Sequence, residues 1–154
     1  MRPFSPALLA ISLLSSLVSL EAEPLRLQLP TDNDALLREK PEEFYMYVDR
    51  NFEGQISKPW TGGKYGFVRT LRRTTEGVLG TRFHEGVDIA PVKRDSGGRP
   101  LDEVRAITTG VVAYANKTAG NSNYGKYVVV EHNFGYGPIF SLYAHLSDVS
   151  VNPG

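Results

Sequence analysis

A chain of 154 residues without cysteine has no thiolate zinc site, disulfide or cysteine nucleophile, so any metal site must use His, Asp, Glu and water. Lys plus Arg number 17 and Asp plus Glu number 17, which excludes the clustered basic excess of a nucleic-acid footprint. Fifteen glycines, ten prolines and eight tyrosines favour a turn-rich, mostly β domain over a helical one.

Residues 1–22 have the pattern of a secretory signal peptide. Arg2 supplies the positive start, and the nearly uncharged run over residues 7–20 is shorter than the roughly 20 apolar residues that span a membrane. Cleavage after Ala22 predicts a secreted, periplasmic or cell-envelope protein with no stable membrane span. The alternative is an uncleaved segment that stays as an anchor.

Residues 23–55 are predicted to form a linker or N-terminal extension, and residues 56–154 the main domain. Thr31 is a good helix cap and Asp34 lies in the first turn, so a short helix is predicted over residues 31–40. Residues 44–48 are ambiguous between strand and helix. We expect them to pack on the main domain, because so many large apolar side chains are rarely left exposed.

The rest of the chain favours short strands separated by turns. Residues 65–69 predict a short strand and residues 71–80 a polar surface loop. Residues 104–115 predict a strand pair or one long strand that bends at Gly110. The clearest strand covers residues 126–132, and a glycine-containing loop leads to its partner over residues 139–146.

The last of these strands alternates in a way that assigns its two faces. The apolar side chains of one face belong to Phe140, Leu142, Ala144 and Leu146. The more polar face carries Ile139, Ser141, Tyr143 and His145. His145 is therefore predicted beside Tyr143, on the face where a site could lie.

His84 and Asp88 are two metal-ligand residue types four positions apart. A straight strand would separate their Cα atoms by roughly 13 Å, four steps of about 3.3 Å, which is too far for both to bind one ion. The backbone must therefore bend, and Gly86 is the residue that bends at the least steric cost. The alternative is an ordinary surface ion pair.

His132 closes the strand over residues 126–132 with Val128 and Val130 on its own side. Two interpretations stay open for this histidine. It is either a residue of the site or a hydrogen-bonded histidine at the end of a strand.

Three segments in order resemble the lysostaphin/LytM-type zinc metallopeptidases of the cell wall, from about Trp60 to Gly154. The first is His-x-Gly-x-Asp-Ile-Ala over residues 84–90. The second is Gly-Val-Val at residues 110–112, a loop, and the Tyr-Gly strand over residues 124–132. The third is Tyr-Ala-His-Leu-Ser over residues 143–147.

This resemblance implies a mostly antiparallel β metallopeptidase fold, barrel-sandwich-like, preceded here by a short helical segment. It implies Zn²⁺ as the cofactor, with His84 and Asp88 as ligands and His145 as the catalytic histidine. The partners implied are peptidoglycan peptides, and His132, Tyr143 and Tyr124 are candidate residues of the substrate groove.

The sequence departs from the family at one point, because no histidine follows His145. The family's later His-x-His motif would supply the third zinc ligand and a second catalytic histidine. We therefore expect either an endopeptidase whose C-terminal end is lacking here, or a non-catalytic relative. The relative would act as a peptidoglycan-binding or hydrolase-activating module.

Overall fold

The computed structural model describes residues 25–154, so the predicted signal peptide lies outside the described residues. Over these residues the chain is mostly β, and its named strands pair antiparallel, which confirms the predicted fold class. No helix within residues 25–154 is both long and apolar enough to span a membrane.

The N-terminal part contains short helices as predicted, but not over the whole of residues 31–40, and the N-cap residue is Asp34 rather than Thr31. A 3-10 helix, Ala35–Arg38, precedes a single α-helical turn, α1, Pro41–Phe44. Pro41 occupies the first turn of α1, where its missing N–H costs nothing. Phe44 is 5% exposed, so the ambiguous aromatic segment does pack on the domain, although Tyr47 remains exposed.

Two hairpins follow. Strands β1, Arg50–Phe52, and β2, Gln55–Ser57, form the first, so the boundary predicted between residues 55 and 56 falls inside β2. Strands β3, Val68–Thr74, and β4, Gly77–Phe83, form the second. The surface loop predicted over residues 71–80 was therefore wrong. Most described side chains of this hairpin are partly or fully exposed, so no polar-apolar alternation marks it in the sequence.

A 3-10 turn, Trp60–Gly63, connects the two hairpins. The strand predicted over residues 65–69 begins only at Val68, because Gly66 has φ = 75° and interrupts an extended backbone. A left-handed φ of this kind is readily adopted by glycine.

The main sheet has three strands in the order β5-β6-β7, with bounds Val111–Asn116, Lys126–Asn133 and Pro138–Leu146. The predictions for β6 and β7 are confirmed. No strand forms over residues 104–110, so neither the predicted strand pair nor one long strand bent at Gly110 is present, and β5 begins after this glycine. The core of the sheet consists of buried Val128, Val130 and Val149.

Over the first half of β7, the predicted apolar face does not pack on the core. Phe140 and Leu142 are 55% and 44% exposed, whereas Tyr143 packs against the buried valines. The pairing of β7 with β6 explains this, because Tyr143 is the partner of core residue Val128. The inward polar groups of β7 are tolerated since they form hydrogen bonds with each other and with His132.

A β-bulge then breaks the alternation at the end of β7. Lys126 pairs with Leu146 and Val128 with Tyr143, so two steps on β6 oppose three on β7. Leu146 therefore packs on the core with Tyr143, and His145 is exposed with φ = 56°. The prediction that His145 and Tyr143 share a face fails for this reason.

Residues 28–32 are attached to the loop that precedes β5. The N–H of Gln28 donates to the carbonyl of Ile107 at 2.8 Å, and Arg105 N–H donates to the carbonyl of Pro30 at 2.8 Å. The carboxylate of Asp32 accepts hydrogen bonds from Lys93 Nζ and Arg105 Nη2, each at 2.7 Å. These two cations lower the pKa of Asp32 from 3.8 to about 2.

We predict a pH-dependent contribution of Asp32 to stability. Because its pKa is lower in the folded chain, its contribution is complete above about pH 4 and is lost as the pH falls towards about 2. Unfolding free energies of the wild type and Asp32→Asn, measured from pH 7 to pH 2, should converge at the acid end. A difference that stays constant over this range would contradict the prediction.

Candidate metal centre

The backbone of His84 continues the β3–β4 pairing beyond Phe83. Its N–H donates to the carbonyl of Phe67 at 3.0 Å, and its carbonyl accepts from the N–H of Gly66 at 2.8 Å. The ring Nδ1 lies 3.0 Å from the carbonyl oxygen of Lys64. A carbonyl can only accept, so in the neutral ring Nδ1 carries the proton and Nε2 keeps its lone pair.

Asp88 faces this lone pair. Its Oδ1 lies 3.3 Å from His84 Nε2, and the two side chains are 22% and 13% exposed. Its Oδ2 forms an ion pair with Arg69 Nη2, which also reaches the carbonyl of Gly62. The guanidinium therefore fixes one carboxylate oxygen and leaves the other directed at the imidazole.

The backbone does bend at Gly86, as the sequence predicted, and the bend brings His84 and Asp88 together. The steric reason given for glycine is not supported. Gly86 is not among the residues with positive φ, and a Cβ built on it meets nothing within 4 Å. The bend itself leaves room for a larger residue.

Gly63 is the glycine that the site requires. A Cβ on Gly63 would lie 2.8 Å and 2.9 Å from the carbonyl O and the N of Met46, and 2.9 Å from the carbonyl O of Asp88. Real Cβ atoms do not approach backbone atoms so closely. Gly63 also accepts the hydrogen bond of the Asp88 N–H at 2.8 Å, so its close approach positions the ligand residue.

The geometry of His84 and Asp88 fits a zinc ion. Two ligand atoms about 2.1 Å from a tetrahedral zinc are about 3.4 Å apart, close to the 3.3 Å between Nε2 and Oδ1. A metal-binding histidine usually donates its other N–H to a carbonyl or carboxylate, as His84 does to Lys64. Without a cation, the same contact is favourable only when the ring is protonated.

The described part of the chain contributes only two ligands to this pair. Within residues 25–154, no group of three or more His, Cys, Asp or Glu side chains is arranged to hold one metal ion. His145 is therefore not in the first coordination sphere that His84 and Asp88 could form. A catalytic zinc usually has three protein ligands, so two would bind it weakly.

His145 is exposed at the β7 bulge, where its N–H donates to the carbonyl of Tyr124 at 2.9 Å. A φ of 56° costs a residue with a Cβ about 1–2 kcal/mol. Glycine would avoid this cost. Tyr124 is 41% exposed next to it, as a groove residue would be.

His132 does not line a groove, since it is 1% exposed. Its Nδ1 lies 2.9 Å from the carbonyl of Thr109 and its Nε2 2.8 Å from Ser141 Oγ. Ser141 Oγ is in turn 2.9 Å from the hydroxyl of Tyr143, which accepts from Ile107 N–H. The buried network corrects the groove assignment of His132 and agrees with the alternative of a hydrogen-bonded strand-end histidine.

Tyr143 is likewise a structural residue in this arrangement. Its ring packs on the core valines and its hydroxyl is used by Ser141 and Ile107. A groove role for Tyr143 therefore has no support in the geometry.

Sequence reasoning missed three residues that shape the metal pair: Arg69, Gly63 and Lys64. Arg69 ends the strand predicted over residues 65–69, and nothing in the sequence paired it with Asp88. The two consecutive glycines at 62 and 63 were a visible signal for a close backbone approach. Lys64 acts through its carbonyl, which no side-chain pattern reveals.

Comparison with known proteins gives one family match. Residues 82–154 match the model described as Peptidase family M23. The matched segment includes both members of the metal pair and His145. No curated protein and no solved structure matches the chain.

We predict different losses of stability for two Gly→Ala substitutions in this site. Gly63→Ala should lower the free energy of unfolding by about 1–3 kcal/mol, because its Cβ collides with the backbone of residues 46 and 88. Gly86→Ala should change it by less than about 1 kcal/mol, since its Cβ enters open space. Urea titration measures both, and equal effects would refute the packing described for Gly63.

Proposed function

Because residues 82–154 of this chain belong to peptidase family M23, we propose that the protein is an exported zinc metalloendopeptidase acting on peptide bonds of peptidoglycan. The observation that carries the proposal is the 3.3 Å contact between His84 Nε2 and Asp88 Oδ1 in the matched segment. The predicted signal peptide supports export to the cell envelope.

In this proposal His84 Nε2 and Asp88 Oδ1 hold the metal ion. A zinc ion held there supplies Lewis-acid polarisation of the scissile carbonyl and activation of water. Lys64 keeps the imidazole in the tautomer that can bind metal. Arg69 holds Oδ2 of Asp88, the carboxylate oxygen that does not face His84. The Asp88–Arg69 pair also offsets part of the negative charge of the site.

We assign His145 the role of a hydrogen-bonding group that orients water or stabilises charge on the substrate carbonyl oxygen. Its exposure allows contact with a bound peptide, and its strained φ is typical of residues kept for function. Glu85 is a poor candidate for the base, since it is exposed between the two ligands and has no described contact with either.

A second candidate function is a non-catalytic module that binds peptidoglycan or activates another hydrolase. One observation favours it: the described residues bring together two metal ligands rather than three. In this case the His84–Asp88 contact would be an ion pair that stabilises the loop.

Zinc binding to the purified full chain tests the proposal. We expect one zinc per chain at saturation, measured by equilibrium titration because a site with two protein ligands binds weakly, with the affinity determined by competition with a chromophoric chelator. His84→Ala and Asp88→Asn should each weaken binding by more than about 100-fold, because each removes one of two ligands. Glu85→Gln is the matched control, since it changes a carboxylate between the two ligands and should leave binding intact.

Release of amines from purified peptidoglycan then separates the two functions. The endopeptidase proposal requires zinc-dependent release by the wild type, and loss of release with retained zinc in His145→Ala. Zinc binding without release would favour the non-catalytic module. Failure of the wild type to bind zinc, or equal losses in Glu85→Gln and His84→Ala, would overturn the metal centre.

A further inference from the structure

The segment that carries Asp88 is paired with the N-terminal extension. Met46 N–H donates to the carbonyl of Asp88 at 2.8 Å, and Ala90 N–H donates to the carbonyl of Phe44 at 2.7 Å. Between them, Tyr45 and Ile89 form an antiparallel bridge. These contacts make a short ladder between residues 44–46 and residues 88–90, and its first half lies outside the family match.

One buried side chain closes this ladder at its far end. Asn33 is 1% exposed, and its Nδ2 donates to the carbonyls of Ala90 at 2.8 Å and Glu43 at 3.0 Å. Its Oδ1 accepts from the N–H of Ala35 at 3.0 Å. Both amide hydrogens are therefore used. One binds Ala90, the last residue of the 88–90 side, and the other binds Glu43, which directly precedes the 44–46 side.

The chemistry of this position requires a carboxamide. Two carbonyl oxygens face Nδ2, so the group there must donate twice, while the opposite atom must accept. A carboxylate has the same shape but would place an oxygen against two carbonyl oxygens. Losing the amide would leave two part-buried carbonyls without their donor, which costs free energy wherever water cannot replace it.

We infer that Asn33 is a positioning residue of the metal centre, which holds Asp88 in register with His84 through the ladder of residues 44–46 and 88–90. The inference rests on the proposed function for the identity of the metal centre. The path is direct, because the carbonyl of Asp88 is the acceptor of the Met46 N–H and its side chain faces His84 Nε2 at 3.3 Å. The N-terminal extension is thus part of the site rather than a tether before it.

The test compares Asn33→Asp and Asn33→Ala with the wild-type chain, using Asp34→Asn as the matched control. Asp34 is the neighbouring exposed residue, and its side chain contacts only Arg38 in the described structure. Zn²⁺ and Co²⁺ affinities are measured by chelator competition under conditions where circular dichroism shows each variant folded. We expect both Asn33 variants to bind metal about 10-fold more weakly, and Asp34→Asn to bind as the wild type does.

Amide hydrogen exchange in the wild type and in Asn33→Ala supplies a second readout. If the ladder and the metal pair are coupled, saturating Zn²⁺ should slow exchange of the Met46 and Ala90 amides of the wild type, since coupling is reciprocal. In metal-free Asn33→Ala, the same two amides should exchange at least 10-fold faster. Amides of β6, such as that of Val130, should exchange at the wild-type rate.

The outcomes are distinguishable. A wild-type chain that binds no metal refutes the proposed function, and the role of Asn33 in holding the ladder is then decided by exchange in the metal-free variants. Metal binding by the wild type with unchanged affinity in both Asn33 variants overturns the inference and leaves the proposed function standing. Faster exchange throughout the chain, including β6, would show that Asn33 acts only on global stability, which also overturns it.

Discussion

The hydrogen bond from His84 Nδ1 to the carbonyl of Lys64 determines what the metal pair can do, because it decides which ring nitrogen is free. Lys64 is itself held in place: its Nζ lies 4.5 Å from the ring centroid of Trp60 and 5.4 Å from that of Tyr45. These cation–π contacts hold the side chain of Lys64, and they help to keep its carbonyl next to His84 Nδ1. With the proton on Nδ1, the lone pair of Nε2 faces Asp88, and a cation can be shared between them.

The position of Asp88 depends on parts of the chain that lie before the family match. Gly63 allows the backbones of residues 46 and 88 to approach, Arg69 occupies one carboxylate oxygen, and Asn33 closes the ladder beyond Ala90. A metal pair needs its two ligand atoms fixed to within a few tenths of an ångström, and no single one of these contacts achieves that. The matched segment carries the ligands, and residues 33–69 position both of them.

The sequence predicted strands with a clear residue pattern and the pairing of two residue types that bind metal. Strands β6 and β7 follow from β-branched residues and the hairpin glycines, and the closeness of His84 and Asp88 follows from their chemistry. The buried face of β7 could not be predicted, because it depends on the register of β7 with β6, and a bulge then reverses the alternation at His145. The β3–β4 hairpin was missed because its exposed side chains lack a buried face.

The role of Asn33 was also invisible from the sequence. A lone asparagine in a polar segment is usually exposed, and its burial depends on three backbone groups, one of them 57 residues away. His132 shows the same limit, since only the fold reveals that Thr109 and Ser141 use both ring nitrogens. Local patterns predict which faces are buried, whereas buried polar residues are explained by partners that are distant in the sequence.

The tautomer of His84 tests the central claim most directly. Long-range ¹H–¹⁵N correlation spectra of the zinc-loaded chain distinguish a ring that carries its proton on Nδ1 from one that carries it on Nε2. The structure predicts that Nδ1 carries the proton and that Nε2 faces Asp88 across the metal. A His84 ring protonated on Nε2 would contradict the arrangement on which the metal centre is built.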